Sequence, residues 1–552
     1  GLGIPGVTVM LKDSNTATIT NFDGDYSIAT GKIKNGILVF NYIGYTSKNM
    51  IFNNQTNTIN VSLLEKEEQL DEVVVTALGI KREKKSLSYA TQTIDTQDMT
   101  EARSTNFVNA LSGKASGVQI VKSGTPTGSN RVVIRGITSV TGDNQPLYVI
   151  DGISLDSGQG DGSVSVWNDG GKNTAVSDID YGSPLSHINP DDIDSIDILK
   201  GPNAAALYGS RASNGVVLIT TKKGKTSSSL GVTINSNSSY ITNREYPNYQ
   251  YVYGSGSGGR LVSSAAGIDP VTGLPSVAGI NSYRAYGALM LGQDILDYTG
   301  TPSKYLPKPN NIKELYQIGF VKTNSIAIDK GGDQGSFRLS FANTSGDHVM
   351  ENMEVQNRNN LTFRGSQKIS NALSTDMSVL YTNNIVKNRM YQNGSERNPA
   401  NNYMYMLPDM GSDNLLPYLT DNNVAYASPG NGPFKNPYWN LYENSNQDEA
   451  NNLIGNVTLK WDITKELSLK SKVNGAVNLV EGEEFNNMGA AYDPDGFYRT
   501  FNNQTQNWNY EAILNYNKKI KDFSIVALLG ANRFDLSSSQ RQTRIKQYKS
   551  IS

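Results

Sequence analysis

A chain of 552 residues with a net charge of −2 and no cysteine excludes several classes of protein. The missing cysteines rule out a disulfide framework, a thiolate metal site and a thiol nucleophile, and the balanced charge gives no basic surface for nucleic acid. The length predicts several domains. Few runs favour helix and Tyr occurs 30 times, so we predict a mainly β fold.

No apolar run reaches the roughly 18 residues that a membrane-spanning helix needs. A transmembrane barrel is compatible with this composition, because its strands alternate apolar and polar residues and keep the mean hydropathy low. The chain begins at Gly1 without an initiator Met or a signal peptide, so we expect it to start part-way through a longer protein or after processing.

Residues 1–64 have the pattern of a small β-sandwich. Short alternating runs, such as residues 4–11 and 37–45, are separated by turn signals that include Asp23-Gly24. The region resembles the carboxypeptidase regulatory domain, which precedes the plug in many SusC-type proteins, although the usual opening strand of that domain is missing. A generic sandwich module explains the same residues.

A charged connector, residues 65–69, leads into the run Leu-Asp-Glu-Val-Val-Val-Thr-Ala at residues 70–77. Three valines favour a strand, and charged flanks keep it solvated. The run resembles the TonB box, which the energy-coupling protein TonB grips by adding it as a strand to a sheet edge. An ordinary core strand is the alternative. The resemblance implies the TonB-binding residues Asp71, Glu72, Val73, Val74, Val75, Thr76 and Ala77.

Residues 65–225 carry several motifs in a fixed order. They combine short helices that end at glycines with strand-like runs of Val and Ile. The motifs lie at residues 109–120, 131–139, 146–153, 189–200 and 199–224. Together they resemble the plug domain of SusC/RagA-type TonB-dependent outer-membrane transporters of the Bacteroidetes kind.

A polar stretch rich in Gly, Asp and Ser, residues 156–184, interrupts the plug-like motifs and contains Trp167. It is longer than most loops of compact domains, which indicates function or disorder. In the family that the chain resembles, plug loops face the substrate, so Trp167 is a candidate substrate-binding residue. A mobile loop that happens to carry one aromatic residue is the alternative.

Residues 226–552 alternate apolar and polar positions in runs of strand length. Paired runs flank short turns at residues 370–372, 464–466 and 518–522. This pattern predicts transmembrane β-hairpins with short periplasmic turns. Aromatic residues near the ends of the runs, such as Trp461 and Trp508, suit the interfacial girdles of a membrane protein.

A long connection between two of these hairpins, residues 391–450, combines Tyr, Trp and Asn, which supply flat apolar faces and hydrogen bonds for a sugar or a peptide backbone. The candidate substrate-binding residues here are Tyr403, Tyr405, Tyr438 and Trp439. Packing within the loop explains the same aromatic residues and is their commoner role.

The expected fold class is mainly β: a transmembrane β-barrel, partial in this chain, with an internal α+β plug and an N-terminal small β-sandwich. The predicted domains are residues 1–64, 65–225 and 226–552. Large plugged barrels have about 22 strands, and the 327 residues after position 225 (552 − 225) supply only part of them. Because a barrel cannot stay open in lipid, we expect a portion of a roughly twofold longer protein.

The sequence lacks residues that the catalytic alternatives require. His348-Val-Met-Glu351 has the spacing of a zinc carboxypeptidase motif, but no further His follows and His187 lies far upstream. No G-x-S-x-G motif is present, and the glycine-rich residues 254–259 lack the Lys-Ser/Thr of a phosphate-binding loop. We therefore predict that the chain is not an enzyme and has no cofactor or metal site.

The resemblance implies TonB-dependent import of a large nutrient, a glycan or a peptide, across the bacterial outer membrane. The implied partners are a SusD-like surface lipoprotein, TonB with ExbB and ExbD, and outer-membrane lipid, without nucleic acid. A homodimer of the transporter–lipoprotein pair is left open. The alternative is a structural or docking barrel within a larger outer-membrane assembly, for example with lipoproteins or secretion components.

Overall fold

The computed structural model of the protein divides into two compact units, residues 1–87 and 88–552. The residues that it describes are 3–12, 14, 16–31, 33–42, 45, 47–53, 58–64, 73–75, 81–83, 90–95, 107–123, 125–139, 144–155, 179–183, 185, 188–201, 208–225, 229–261, 267–277, 284–392, 395–416, 418–419, 436–489, 494–520 and 523–546.

The first unit contains one antiparallel sheet of four strands, β1 (Thr8–Leu11), β2 (Ala17–Ile19), β3 (Asn35–Asn41) and β4 (Lys48–Asn53). Their order in the sheet is β2-β1-β3-β4. Alternate side chains of these strands form a buried apolar face, because successive residues of a strand point to opposite sides. A separate pair of short strands, β5 (Val73–Val75) and β6 (Lys81–Glu83), follows.

The second unit begins with a set of short strands that we call the plug. In chain order they are β7 (Ala90–Asp95), β8 (Val118–Val121), β9 (Arg131–Ile134), β10 (Leu147–Ile150), β11 (Ile153–Leu155), β12 (Ile193–Lys200) and β13 (Val216–Thr221). Three 3-10 helices accompany them, Phe107–Leu111, Pro190–Asp192 and Ser210–Ala212.

Five plug strands form one sheet in the order β11-β10-β13-β12-β7, and β8 pairs with β9 alone. Strands β10 and β13 run parallel, whereas the other neighbours in this sheet are antiparallel. The central strands are runs of Ile, Val and Leu, as expected for strands covered on both faces. Their side chains are buried, for example Ile150, Ile198 and Val217.

The rest of the second unit is dominated by a nine-stranded antiparallel sheet that we call the barrel wall. It contains β14 (Gly231–Ile241), β17 (Gly319–Gly332), β18 (Gly335–Gly346), β19 (Val355–Lys368), β20 (Leu373–Lys387), β21 (Ser445–Asp462), β22 (Leu467–Asn486), β23 (Phe497–Ile520) and β24 (Phe523–Lys546). The strands are ordered as they follow in the chain, and each pairs in continuous register with the next.

The two faces of the barrel wall have opposite polarity. On β21, Leu453 and Val457 are 45% and 44% exposed, whereas Asn452 and Asn456 are only 4% exposed. The polar face is buried against the plug and the apolar face is open, which reverses the arrangement of a water-soluble sheet and is typical of a membrane barrel. The predicted mainly β fold with a barrel, a plug and an N-terminal domain is confirmed.

The wall has one end with short turns and one with long connections. Short turns join β17 to β18, β19 to β20, β21 to β22 and β23 to β24. The long connections hold β15 (Asp294–Leu296), β16 (Pro302–Lys304), the 3-10 helices Lys313–Leu315 and Ser412–Asn414, and the helices α1 (Pro399–Tyr403) and α2 (Pro437–Tyr442). Within the described ranges, no helix has the length and apolar character needed to cross a membrane.

Candidate functional site: the plug against the barrel wall

The turn between β10 and β11 bonds the plug to the wall near the short-turn end. Asp151 has a φ of +48° and Gly152 a φ of +81°. The Asp151 carboxylate accepts hydrogen bonds from Thr221 N (3.0 Å) and Thr221 Oγ1 (2.6 Å) and pairs with the guanidinium of Arg364 on β19. Lys472 on β22 donates to the Gly152 carbonyl oxygen at 3.2 Å. One plug turn is therefore held by two strands of the wall.

A second contact near the same end involves the 3-10 helix Pro190–Asp192. Ser325 Oγ on β17 donates to Asp191 Oδ2 at 2.8 Å. Arg338 Nη2 on β18 lies 3.3 Å from Asp192 Oδ1. All four side chains are buried, and a buried charge is tolerated only when it is paired and hydrogen-bonded. These contacts therefore fix the start of β12 against the wall.

At the long-loop end, a buried ion pair joins two plug loops to the wall. Arg389 Nη2 donates to Asp448 Oδ2 at 3.0 Å, and both side chains are fully buried. Arg389 Nη1 also donates to the carbonyl oxygens of Thr127 (3.2 Å) and Asp180 (3.1 Å). Glu354 Oε2 accepts a hydrogen bond from Thr127 Oγ1 at 2.6 Å. Charge-assisted bonds of this kind are about twice as strong as neutral ones.

Tyr181 extends this network along the wall. Its hydroxyl accepts a hydrogen bond from Arg499 Nη2 at 3.2 Å, and Arg499 pairs with Glu484. Tyr391 OH donates to Glu484 Oε1 at 2.5 Å, while the ring of Tyr181 meets Phe501 edge-on with centroids 4.8 Å apart. Burial and the nearby Glu484 carboxylate raise the pKa of Tyr181, so its hydroxyl stays protonated at neutral pH.

These contacts make the plug–wall interface polar and charged at both ends. Polar contacts can be exchanged for bonds to water, whereas each buried ion pair resists separation because an unpaired partner is costly. Between the two ends, the apolar cluster of the plug continues onto Leu380, Ile454 and Ala476 of the wall, so apolar packing also holds the plug in place.

The described residues offer no metal centre. No group of three or more His, Cys, Asp and Glu side chains among them is arranged to hold a metal ion. His348 is buried in the loop after β18, where burial lowers its pKa and favours the neutral imidazole. His187 lies outside the described residues.

Comparison with known proteins assigns a domain family to part of each unit. Residues 1–75 match the CarboxypepD_reg-like domain, and residues 83–216 match the TonB-dependent receptor plug domain. The TonB-dependent receptor SusC of Bacteroides thetaiotaomicron is 26% identical over 555 residues, covering 97% of this chain and 48% of SusC. The TonB-dependent receptor P26 of Formosa agariphila is also 26% identical, covering 98% of this chain and 48% of P26.

The chain carries the domains of TonB-dependent receptors and is similar to receptors of the SusC type along nearly its whole length. Receptors of this type are outer-membrane proteins, so the predicted location of the receptor is confirmed. The chain spans about half the length of these curated relatives. Neither relative is named as an enzyme.

Solved structures show the same fold. The RagAB peptide importer in its open-open state superposes with a TM-score of 0.64 at 19% identity, covering 87% of this chain and 50% of that chain. Its closed-closed state gives a TM-score of 0.60 at 18% identity, with 84% and 50% covered. The similarity extends across most of the receptor described here.

The predicted TonB-binding segment is described only at its centre. Val73, Val74 and Val75 form β5, whose backbone pairs with β6. Outside the described residues lie Asp71, Glu72, Thr76, Ala77 and Trp167. Their TonB-binding and substrate-binding roles, and the three predicted domain boundaries, stay predictions.

The predicted loop aromatics lie in the long connections of the receptor. Tyr403, Tyr438 and Trp439, on α1 and α2, are 1%, 7% and 3% exposed, and the two tyrosines belong to the apolar core of the long loops. Tyr405 is 36% exposed and lines a cavity of about 230 Å³ together with three other tyrosines and Met404. Of the four predicted residues, Tyr405 has the surface that a ligand could reach, and the substrate-binding role of all four stays a prediction.

Sequence reasoning missed a buried carboxylate that ties two long loops together. Asp409 Oδ1 accepts a hydrogen bond from Ser255 N at 2.7 Å, and Asp409 Oδ2 accepts from Ser255 Oγ (2.8 Å) and Tyr298 OH (2.9 Å). Tyr305 OH donates to the Ser255 carbonyl oxygen at 2.8 Å. Burial raises the pKa of Asp409. No local pattern marks Asp409, because its partners lie more than 100 residues away in the chain.

The plug–wall contacts were also missed, although the sequence holds a signal for some of them. The side chains of Arg338, Arg364 and Asp448 lie on the polar face of the barrel strands, where most residues are Asn, Ser or Thr. A full charge on the face that points away from lipid requires a partner. Such positions could have been marked as plug contacts without knowing which plug residue they meet.

Proposed function

We propose that the receptor imports a large nutrient, a glycan or a peptide, across the outer membrane, and that TonB drives displacement of its plug. The observation that carries this proposal is the attachment of the plug to the barrel wall by buried charged contacts at both ends. A plug held in this way blocks passage at rest and needs work from outside to move.

The size of that work follows from the contacts. Separating one partner of a buried ion pair costs about 3–5 kcal/mol, and Arg338 and Arg364 each form such a pair between the wall and the plug. Arg389, which is paired with Asp448 within the wall, adds charge-assisted hydrogen bonds to two plug carbonyl oxygens. Thermal motion alone does not break several of these together. A motor in the inner membrane, TonB with ExbB and ExbD, would supply the energy.

The connection to TonB runs through the edge of the plug sheet. Strand β7 begins 13 residues after Ala77 (90 − 77), the end of the predicted TonB-binding segment. It pairs only with β12 in the plug sheet as described, and Ile94 is its buried apolar side chain there. A pull on residues 71–77 would therefore act first on β7, which is an edge strand. An edge strand is hydrogen-bonded to one neighbour only, so it has the fewest hydrogen bonds to break.

The strand-like centre of the segment suits capture by TonB. A strand-prone run of valines can add to the edge of a partner sheet through main-chain hydrogen bonds, without requiring specific side chains. On the outer side, a SusD-like lipoprotein would cover the substrate. RagAB is named as a peptide importer, and Tyr405 with its tyrosine-lined cavity offers stacking surfaces to a peptide or a sugar.

Deleting residues 71–77 tests the proposal. Cells that produce the deletion variant should lose growth on the glycan mixture or peptide digest that the parent uses, at an equal amount of receptor in the outer membrane. Val74→Pro should act like the deletion because proline cannot donate in a strand ladder, whereas Val74→Ala should retain growth. Full growth of the deletion variant would refute TonB-driven import and favour a structural or docking barrel.

A further inference from the structure

The outer face of the barrel wall carries a row of five asparagines. Each of the strands β17 to β21 contributes one of them, and each is directly paired with the next across the sheet. We call this set the asparagine row; in chain order it consists of Asn324, Asn343, Asn359, Asn383 and Asn451. A lipid-facing strand position is normally apolar, so a repeated amide there needs a reason.

The asparagine row lies on the face that is open to lipid, and not on the face that contacts the plug. Side chains two residues apart on a strand share a face. Two residues nearer the short-turn end, the same five strands carry exposed apolar or aromatic side chains that are also paired with one another, namely Ile326, Phe341, Leu361, Tyr381 and Leu453. The row therefore begins where the continuous apolar surface of these strands ends.

The depth of this apolar surface places the row near the lipid headgroups. On β21 the surface runs from Leu453 to Trp461, which is about 27 Å along the strand. Barrel strands tilt by about 35–45°, so its height is roughly 20 Å, near the ~25 Å of a membrane barrel. The tilt also makes the row climb by about 3 Å per strand. The row thus crosses the border between acyl chains and headgroups at the long-loop end, which faces outward in such barrels.

The amides of the row bond to each other and still offer groups to an outside partner. Asn343 Nδ2 donates to Asn359 Oδ1 at 2.8 Å, and Asn383 Nδ2 donates to Asn451 Oδ1 at 3.1 Å. Within the part of the chain that the structure describes, the side-chain amides of Asn324 and Asn359 donate no hydrogen bond. The amide oxygens of Asn343 and Asn383 accept none from those residues. Available donors and acceptors therefore alternate along the first four positions of the row.

We propose that the asparagine row is a docking surface for the saccharide headgroup of a glycolipid in the outer leaflet. The row continues the lipid-facing surface, so its occupant is the headgroup of a lipid whose acyl chains cover the apolar residues below. Sugar hydroxyls both donate and accept hydrogen bonds, which matches the alternating amide groups. The row spans about 19 Å across five strands, which suits a headgroup of several sugar rings.

The charges beside the row favour a neutral sugar over a phosphate. The row itself carries no charge, and the nearest charged side chains on the same face of these strands are Lys322 on β17 and Glu449 on β21. Their charges are opposite. A phosphate is held best by several Arg or Lys side chains that act together, and the five strands do not place such a group beside the row.

Lipid retention by the full-length receptor, purified from its outer membrane into detergent, tests the proposal. The probes are lipopolysaccharide of the producing cells, the same lipid after mild-acid removal of its saccharide, and phosphatidylethanolamine. The parent should retain intact lipopolysaccharide at least ~10-fold more tightly than the other two. N359A/N383A should lose this preference. Gln367→Ala should keep it, because Gln367 is an exposed residue of β19 at the short-turn end. An unchanged melting temperature shows that each variant is folded.

Three results would overturn the proposal. Equal retention of the three lipids by the parent would show that the saccharide is not recognised, and this comparison needs no variant. A preference that persists in N359A/N383A would place the saccharide elsewhere on the receptor. Loss of a copurifying protein from N359A/N383A, with lipid retention unchanged, would make the row a protein contact. None of these readouts depends on nutrient uptake or on the TonB-binding segment.

Discussion

Replacing Arg389 by Met measures how strongly the long-loop end of the plug is held. The variant leaves Asp448 buried without its partner and removes the bonds to the carbonyl oxygens of Thr127 and Asp180. Losing one partner of a buried pair costs about 3–5 kcal/mol. Since 1.4 kcal/mol is a factor of ten, the plug loop that contains Thr127 should open roughly 100 to 4,000 times more often.

Native-state hydrogen exchange of the Ser129 amide reports this opening, because that amide donates to Asp180 Oδ2 at 2.6 Å. R389M should accelerate its exchange by the factor above. The double variant R389M/D448L removes both charges and should recover to within about tenfold of the parent. Arg338→Met, at the opposite end of the wall, is the control and should leave Ser129 unchanged. Acceleration of less than threefold in R389M, or no recovery in the double variant, refutes the reasoning.

Three further predictions concern single positions. Gly152→Ala should destabilise the turn by about 1–3 kcal/mol, because the φ of Gly152 is positive and a Cβ would collide with Lys472 Nζ. The amide of Thr221 should then exchange faster, and an unchanged rate would contradict this prediction. Burial raises the pKa of Asp409 above its usual value of 3.8. The folded loops therefore bind the Asp409 proton more tightly than the unfolded chain does, and the folded state should lose stability as the pH rises from 3.8 through the raised pKa. In Asp409→Asn, the melting temperature should no longer fall with pH in this range. If it still falls, another group causes the pH dependence. Tyr403→Phe should leave the melting temperature within about 1 °C or raise it, because the buried hydroxyl has no hydrogen-bond partner among the described residues; a fall of several degrees would reveal a bond.

The barrel wall was predictable because its signal is local. Period-two alternation in residues 453–461 and 467–479 follows from the need to present one face to lipid, and the turn at 464–466 lies between the two strands as predicted. The helices α1 and α2 were not predicted, although Asn-Pro at residues 398–399 and 436–437 is a local signal for their start, where the asparagine side chains accept hydrogen bonds from the first turn.

The contacts that hold the plug were not predictable from the sequence. Asp151 and Arg364 are separated by 213 residues, and Thr127 and Arg389 by 262. No periodic pattern links such pairs, since their meeting depends on how the plug is oriented against the wall. The same applies to Tyr403 and Tyr438, whose sequence context suits a ligand surface equally well but whose helices pack them into the apolar core of the long loops.

The position of β7 at the margin of the plug sheet limits how wide a path its departure could open. Six residue pairs join β7 to β12, and losing them leaves β10, β11, β12 and β13 bonded to one another and, through Asp151 and Asp192, to the wall. If β7 alone left, the passage would be a slit beside the rest of the plug, and clearing the whole barrel would also require the Arg338 and Arg364 pairs to break. Cargo would be selected by its cross-section, so a long flexible chain could thread lengthwise where a compact globule of equal mass could not.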